Sequence, residues 1–112
     1  MTALFSHPDV TVSVENATLL VVGDVEVTLA ADLAASGVKW LKHTELTSIS
    51  LDFSLVEKAS SAAISVLFEW LRICRQRGIQ IQAILFSAPL RRLASLAELD
   101  ALIDQPATTL AV

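Results

Sequence analysis

Val10-Thr11-Val12-Ser13-Val14 alternates apolar and polar side chains, which predicts a half-buried strand. Glu15-Asn16-Ala17 reads as a turn. Thr18-Leu19-Leu20-Val21-Val22 is a second, more apolar strand ending at Gly23-Asp24, and the short connection predicts a hairpin. A helical period follows, with Leu29, Leu33, Trp40 and Leu41 on one side. It is expected to be capped by Thr28 and to run to about Lys42, with Gly37 permitting close packing. Ser48 to Phe53 alternates again and gives a third strand. A second helix runs from about Ser61 to Arg77 and stops at Gly78, a residue suited to the left-handed turn that ends helices. Ile79 to Leu85 forms a fourth strand. Pro89 suits the first turn of a third helix bearing Leu90, Leu93, Ala94 and Leu96. Leu99 to Ile103 predicts a short final element, and the end beyond Pro106 is small, polar and expected to fray.

The predicted order is β-β-α-β-α-β-α. Helices that join strands imply crossover connections, hence an α/β fold with a mixed sheet and helices packed on it. The chain has 112 residues, the length of one domain. A chain of this size buries roughly two-thirds of its extended surface, enough for a single core. That core is expected over residues 10–103, with tails at 1–9 and 104–112.

The second helix has two contrasting faces. At about 100° per residue, Ala63, Val66, Leu67, Trp70, Leu71 and Cys74 gather on the side that should meet the sheet. Trp70 reads as a core anchor, and Cys74 as a small core residue rather than a reactive thiol. The opposite face collects Ser61, Ser65, Phe68, Glu69, Arg72, Arg75 and Gln76. Phe68 is out of place there: either a loop covers it, or it anchors an interface, where aromatic residues and arginine are enriched. Ser61, Ser65, Phe68 and Arg72 form a continuous stripe at spacings of three and four. Ser60 and Ser61 stand where hydroxyls ordinarily cap a helix, so capping and docking both remain open for them.

Composition narrows the function classes. Hydrophobic residues make up 54% and charged ones only 18%, so part of the surface should be apolar and suited to a partner. Mean hydropathy is +0.61, yet no apolar run approaches the ~20 residues that span a bilayer. Met1 to Pro8 holds no basic segment leading into an apolar one, so no secretory signal is expected there. With 8 basic against 12 acidic residues the net charge is −4, which argues against non-specific nucleic-acid or anionic-lipid binding. Five of the eight cations, Arg72, Arg75, Arg77, Arg91 and Arg92, lie close together. The first three fall in the last turns of a helix, where cations oppose the dipole, whereas Arg91 and Arg92 open the next one. The single Cys74 cannot form an internal disulfide, and a reducing cytoplasmic setting fits. No catalytic constellation is legible. His7 lies in the expected tail and His43 after the first helix, with no reason to meet Ser60 or Ser61. Metal-ligand spacing and a glycine-rich phosphate loop are both missing, so no cofactor and no enzyme activity are expected.

Several segments resemble the STAS domain family, named for sulfate transporters and anti-sigma-factor antagonists. Gly23-Asp24-Val25 stands where the family has Gly-Glu-Leu or a variant, and Leu51-Asp52-Phe53-Ser54 matches its hydrophobic-Asp-hydrophobic-Ser strand. Ser60-Ser61-Ala62-Ala63 falls on its Asp-Ser/Thr loop, and Leu90-Arg91-Arg92-Leu93-Ala94-Ser95-Leu96 on the helix after the fourth strand. The similarity spans about Val10 to Ile103. Lys58 to Ala63, followed by Leu67-Phe68-Glu69-Trp70-Leu71, is most like the MlaB-type branch. That resemblance implies a non-catalytic cytoplasmic subunit of a phospholipid-transporting ABC system. It would bind the ATPase subunit, and through it the permease, at the inner membrane without inserting. The contact would use Ser60, Ser61, Ser65, Phe68, Glu69 and Arg72. In anti-sigma-factor antagonists the position of Ser61 is a serine phosphorylated by a partner kinase, the alternative function and partner. Ser60 replaces the acid that usually precedes that hydroxyl, which favours constitutive docking.

Overall fold

A computed structural model describes residues 1–96. Its elements are β1 (Thr2–Ser6), β2 (Val10–Glu15), β3 (Thr18–Gly23), α1 (Val27–His43), β4 (Ser48–Leu55), α2 (Ser61–Arg77), β5 (Gln80–Phe86) and α3 (Ala88–Leu96). The seven elements expected from Val10 to Leu96 are all present in the expected order. One strand, β1, is added ahead of them in the segment read from sequence as a tail. The expected element over Leu99 to Ile103 and the frayed end beyond Pro106 lie outside the described residues.

The sheet runs β1-β2-β3-β4-β5. β1, β2 and β3 pair antiparallel, and β3, β4 and β5 pair parallel. The alternation read in the sequence sets the faces of β3 and β4: Leu19 and Val21, and Ile49, Leu51 and Phe53, point to one buried side. In β5 Ile81 and Ile84 reach that side at a spacing of three because the pairing with β4 slips between them. There α1 and α2 pack against each other and the sheet. On the other side Leu20 and Leu85 flank Asp52, and Val22 and Leu85 remain partly exposed.

The α1–α2 contact is close because of Gly37. A Cβ at that position would lie 2.4 Å from ring atoms of Trp70. The bare glycine lets the fully buried indole rest on the α1 backbone, where its Nε1–H donates to the Ala34 carbonyl at 3.0 Å. Phe53 meets Trp70 at a centroid distance of 5.6 Å and Phe86 at 5.9 Å, joining helices and sheet through one aromatic cluster. At the other end of the helix pair, Arg77 donates to the carbonyls of Leu41 and Thr44 at 2.7 and 2.8 Å. This satisfies acceptors that the end of α1 would leave open.

Two local expectations are corrected. Thr28 does not cap α1: it lies inside the helix, which starts at Val27, and the N-cap is Glu26, two residues earlier, with no side-chain cap bond. His7 is not in a free tail but in the β1–β2 turn, where its Nδ1 accepts from the Asp9 N–H at 3.1 Å.

Candidate docking site at the start of the second long helix

β4 delivers the chain to the site. Near its end Asp52 Oδ1 accepts from the Ser54 N–H at 2.8 Å and from the Ser54 hydroxyl at 2.6 Å, within the stretch where the pairing of β4 with β3 slips between Asp52 and Leu55. Val56 then drops into the core, while Glu57, Lys58 and Ala59 are exposed.

The two serines have different roles. Ser60 is the N-cap: its hydroxyl accepts from the Ala62 N–H at 3.1 Å and donates to the Val25 carbonyl at 3.1 Å. It is half-buried and turned toward the β3–α1 connection. Ser61 is the first helical residue and is exposed, and its hydroxyl has no hydrogen-bond partner among the described residues. Adjacent hydroxyls could not be told apart by sequence. The structure assigns capping to Ser60 and leaves Ser61 facing solvent.

From Ser61 the exposed side of α2 continues as expected. Ser65 is exposed and its hydroxyl donates to the Ser61 carbonyl at 3.0 Å. Phe68 is 44% exposed, so among the described residues no loop covers it. Glu69 and Arg72 form an i,i+3 ion pair. The hydrogen bond from Arg72 holds the Glu69 carboxyl below its ordinary range, and the same bond raises Arg72. Both groups are therefore charged near neutral pH. Thus Ser61, Ser65, Phe68, Glu69 and Arg72 share one surface, and Ser60 stands behind it. Beside this surface an open groove of about 440 Å³ runs between α1 and α2, floored by Ala30, Ala31, Ala34 and Ala35 and edged by Ser65 and Glu69.

The interior side of α2 matches its expected composition: Ala63, Val66, Leu67, Trp70, Leu71 and Cys74 are all buried. Burial pushes the Cys74 thiol up to about 11, which keeps it protonated and a poor nucleophile near neutral pH. Among the described residues no cluster of His, Cys, Asp or Glu could hold a metal ion, and no helix is long and apolar enough to cross a membrane.

One participant was not legible as such. Asp24 was visible only as part of a Gly-Asp-Val string, yet its Oδ1 accepts from the Lys58 N–H at 3.0 Å across 34 residues of sequence. No local pattern signals a bond of that span.

The sequence model of one protein family, described as "Mlab, STAS domain", matches residues 9–104. No curated protein matches the chain.

Proposed function

The chain belongs to the Mlab-type STAS family, and from that premise we propose that it is a non-catalytic subunit of a phospholipid-transporting ABC system, docking on the ATPase subunit. The observation that carries this reading is the exposed face of α2. It sets a half-exposed aromatic, Phe68, in line with the Ser61 hydroxyl, which has no hydrogen-bond partner among the described residues, and the charged pair Glu69–Arg72. A half-exposed phenyl ring among polar neighbours contributes little to a monomer and much to a contact that buries it. The ATPase thereby engages Ser61, Ser65, Phe68, Glu69 and Arg72, while Ser60 acts from behind as the cap. The chain reaches the inner membrane through this partner and the attached permease.

One observation favours a second reading, an anti-sigma-factor antagonist phosphorylated on Ser61. The exposed Ser61 hydroxyl lies at a helix N-terminus, where the dipole accommodates added negative charge. Against it stands Ser60, which occupies the place of the customary acid and is committed to capping.

The two readings separate in a pull-down of the tagged protein from gently solubilised native membranes. The docking reading expects an ABC ATPase with its permease, both lost in Ser61→Arg while the circular dichroism spectrum is unchanged. Recovery of a kinase-like anti-sigma factor, with Ser61 phosphorylated, overturns it.

A further inference from the structure

Among the described residues, the loop that presents Ser61 has few ties to the rest of the protein. Val56 anchors its start and the Ser60 cap anchors its end. Among the described residues, the hydrogen bond that ties Glu57, Lys58 and Ala59 to a distant segment runs from the Lys58 N–H to Asp24 Oδ1 in the β3–α1 connection, at 3.0 Å. The Lys58 ammonium also lies 3.7 Å from Glu26, but these side chains are 70% and 51% exposed. Such a pair contributes little in water. A carboxylate accepting from a main-chain N–H is a stronger, directional contact.

Asp24 is itself held from the opposite side. Its own N–H donates to the Asp9 carbonyl at 3.1 Å, in the turn between β1 and β2. That approach depends on Gly23, whose φ is +106° and where a Cβ would meet the Asp9 oxygen at 2.2 Å. Gly23 and Asp24 therefore work as one bracket. The glycine lets the chain press against the first turn, and the aspartate reaches outward to the loop before α2. A second bond between the same two connections, Ser60 hydroxyl to Val25 carbonyl, runs in parallel.

We infer that Asp24 is a positioning residue for docking: through the Lys58 main chain it holds the loop in the place that presents Ser61 to the partner. The inference rests on the docking reading of Ser61. Asp24 need not touch the partner. Its loss leaves the helix and its cap in place and releases the loop that leads into them.

The test uses the full chain and the ABC ATPase recovered with it, comparing Asp24→Ala, Asp24→Asn and Ser61→Arg. Asp24→Ala is expected to weaken ATPase binding ~10-fold, as loss of one hydrogen bond to a charged group predicts. It should also speed hydrogen exchange at the Lys58 amide while the α2 core amides keep their protection. Asp24→Asn retains an oxygen acceptor and should restore binding to within about threefold. A purely structural role would instead lower the melting temperature and speed exchange of the α2 core amides together with the Lys58 amide. Wild-type affinity in Asp24→Ala, with binding lost in Ser61→Arg, overturns the inference and leaves the docking reading standing. Wild-type affinity in Ser61→Arg removes the docking reading and this inference with it. Should Asp24→Ala fail to fold, Lys58→Pro deletes the donor with Asp24 intact; it must then lose the same affinity, and unchanged binding overturns the inference.

Discussion

Ala17 adopts φ +57° beside Asn16 at +51°, so both residues of the β2–β3 turn lie in the left-handed region. Glu15 pairs with Thr18 across them, as in a two-residue hairpin whose twist suits the strands. Asparagine tolerates that backbone, whereas alanine pays a steric penalty of about 1 kcal/mol there. Ala17→Gly should therefore raise stability by about 1 kcal/mol, read as a shift in the urea midpoint at constant slope. Cys74 gives a second residue-scale expectation. Its thiol is raised from 9.0 to about 11 in the folded protein, so the native state holds the proton after the unfolded chain has lost it. Its contribution is present in full below pH 9 and is lost as pH rises toward 11. Cys74→Ala should flatten the alkaline fall in stability across that window. The chain has no tyrosine, so thiolate absorbance can follow the titration without phenolate interference.

At the scale of elements, the α1–α2 pair rests on a fit between one glycine and one indole. Gly37→Ala places a methyl within 2.4 Å of the Trp70 ring, and neither the helix backbone nor a fully buried ring can yield easily. We expect a loss of about 3 kcal/mol, at the upper end for overpacking, measured by thermal denaturation. Phe68→Ala, on the same helix as Trp70 but the opposite face, should cost less than about 1 kcal/mol because the ring is 44% exposed. It should nevertheless weaken capture of the ATPase. A large stability loss with unchanged capture would return Phe68 to the core. Most of these elements were legible because their hydrophobic period matches their final burial. Ser48 to Phe53 alternates and is buried at alternate positions; α2 starts at Ser61 and ends at Arg77, before Gly78 in the left-handed conformation. β1 escaped notice because Thr2-Ala3-Leu4-Phe5-Ser6 has no alternation, and its pairing with β2 slips between Ala3 and Phe5. The start of α1 was displaced because Glu26 caps it without a side-chain bond, so the usual hydroxyl signal at Thr28 pointed two residues inward.

For the molecule as a whole, that overlooked strand is part of the fold. Leu4 and Phe5 pack against the core and β1 pairs along β2. Removal of residues 1–6 should cost about 2 kcal/mol, the scale of one buried large apolar side chain. ATPase capture should weaken as well, since the turn that follows β1 carries the Asp9 carbonyl on which Asp24 is held. The outer face of α2 was readable from helical spacing alone: Ser61, Ser65, Phe68, Glu69 and Arg72 fall on one side of it at about 100° per residue. Its support was not. The Asp24–Lys58 bond and the Ser60–Val25 bond join segments 34 and 35 residues apart, and they exist only because β3 and β4 lie side by side and end together.

The same parallel course gives the protein two poles. β3 leads from the Asn16–Ala17 turn to the Asp24 bracket in six residues, a span of roughly 20 Å at the usual rise of a strand. A fluorophore or surface tether attached at the hairpin tip would therefore sit at the opposite pole from Ser61. Immobilised by that handle, the protein would face its analyte with the start of α2 outward and unobstructed.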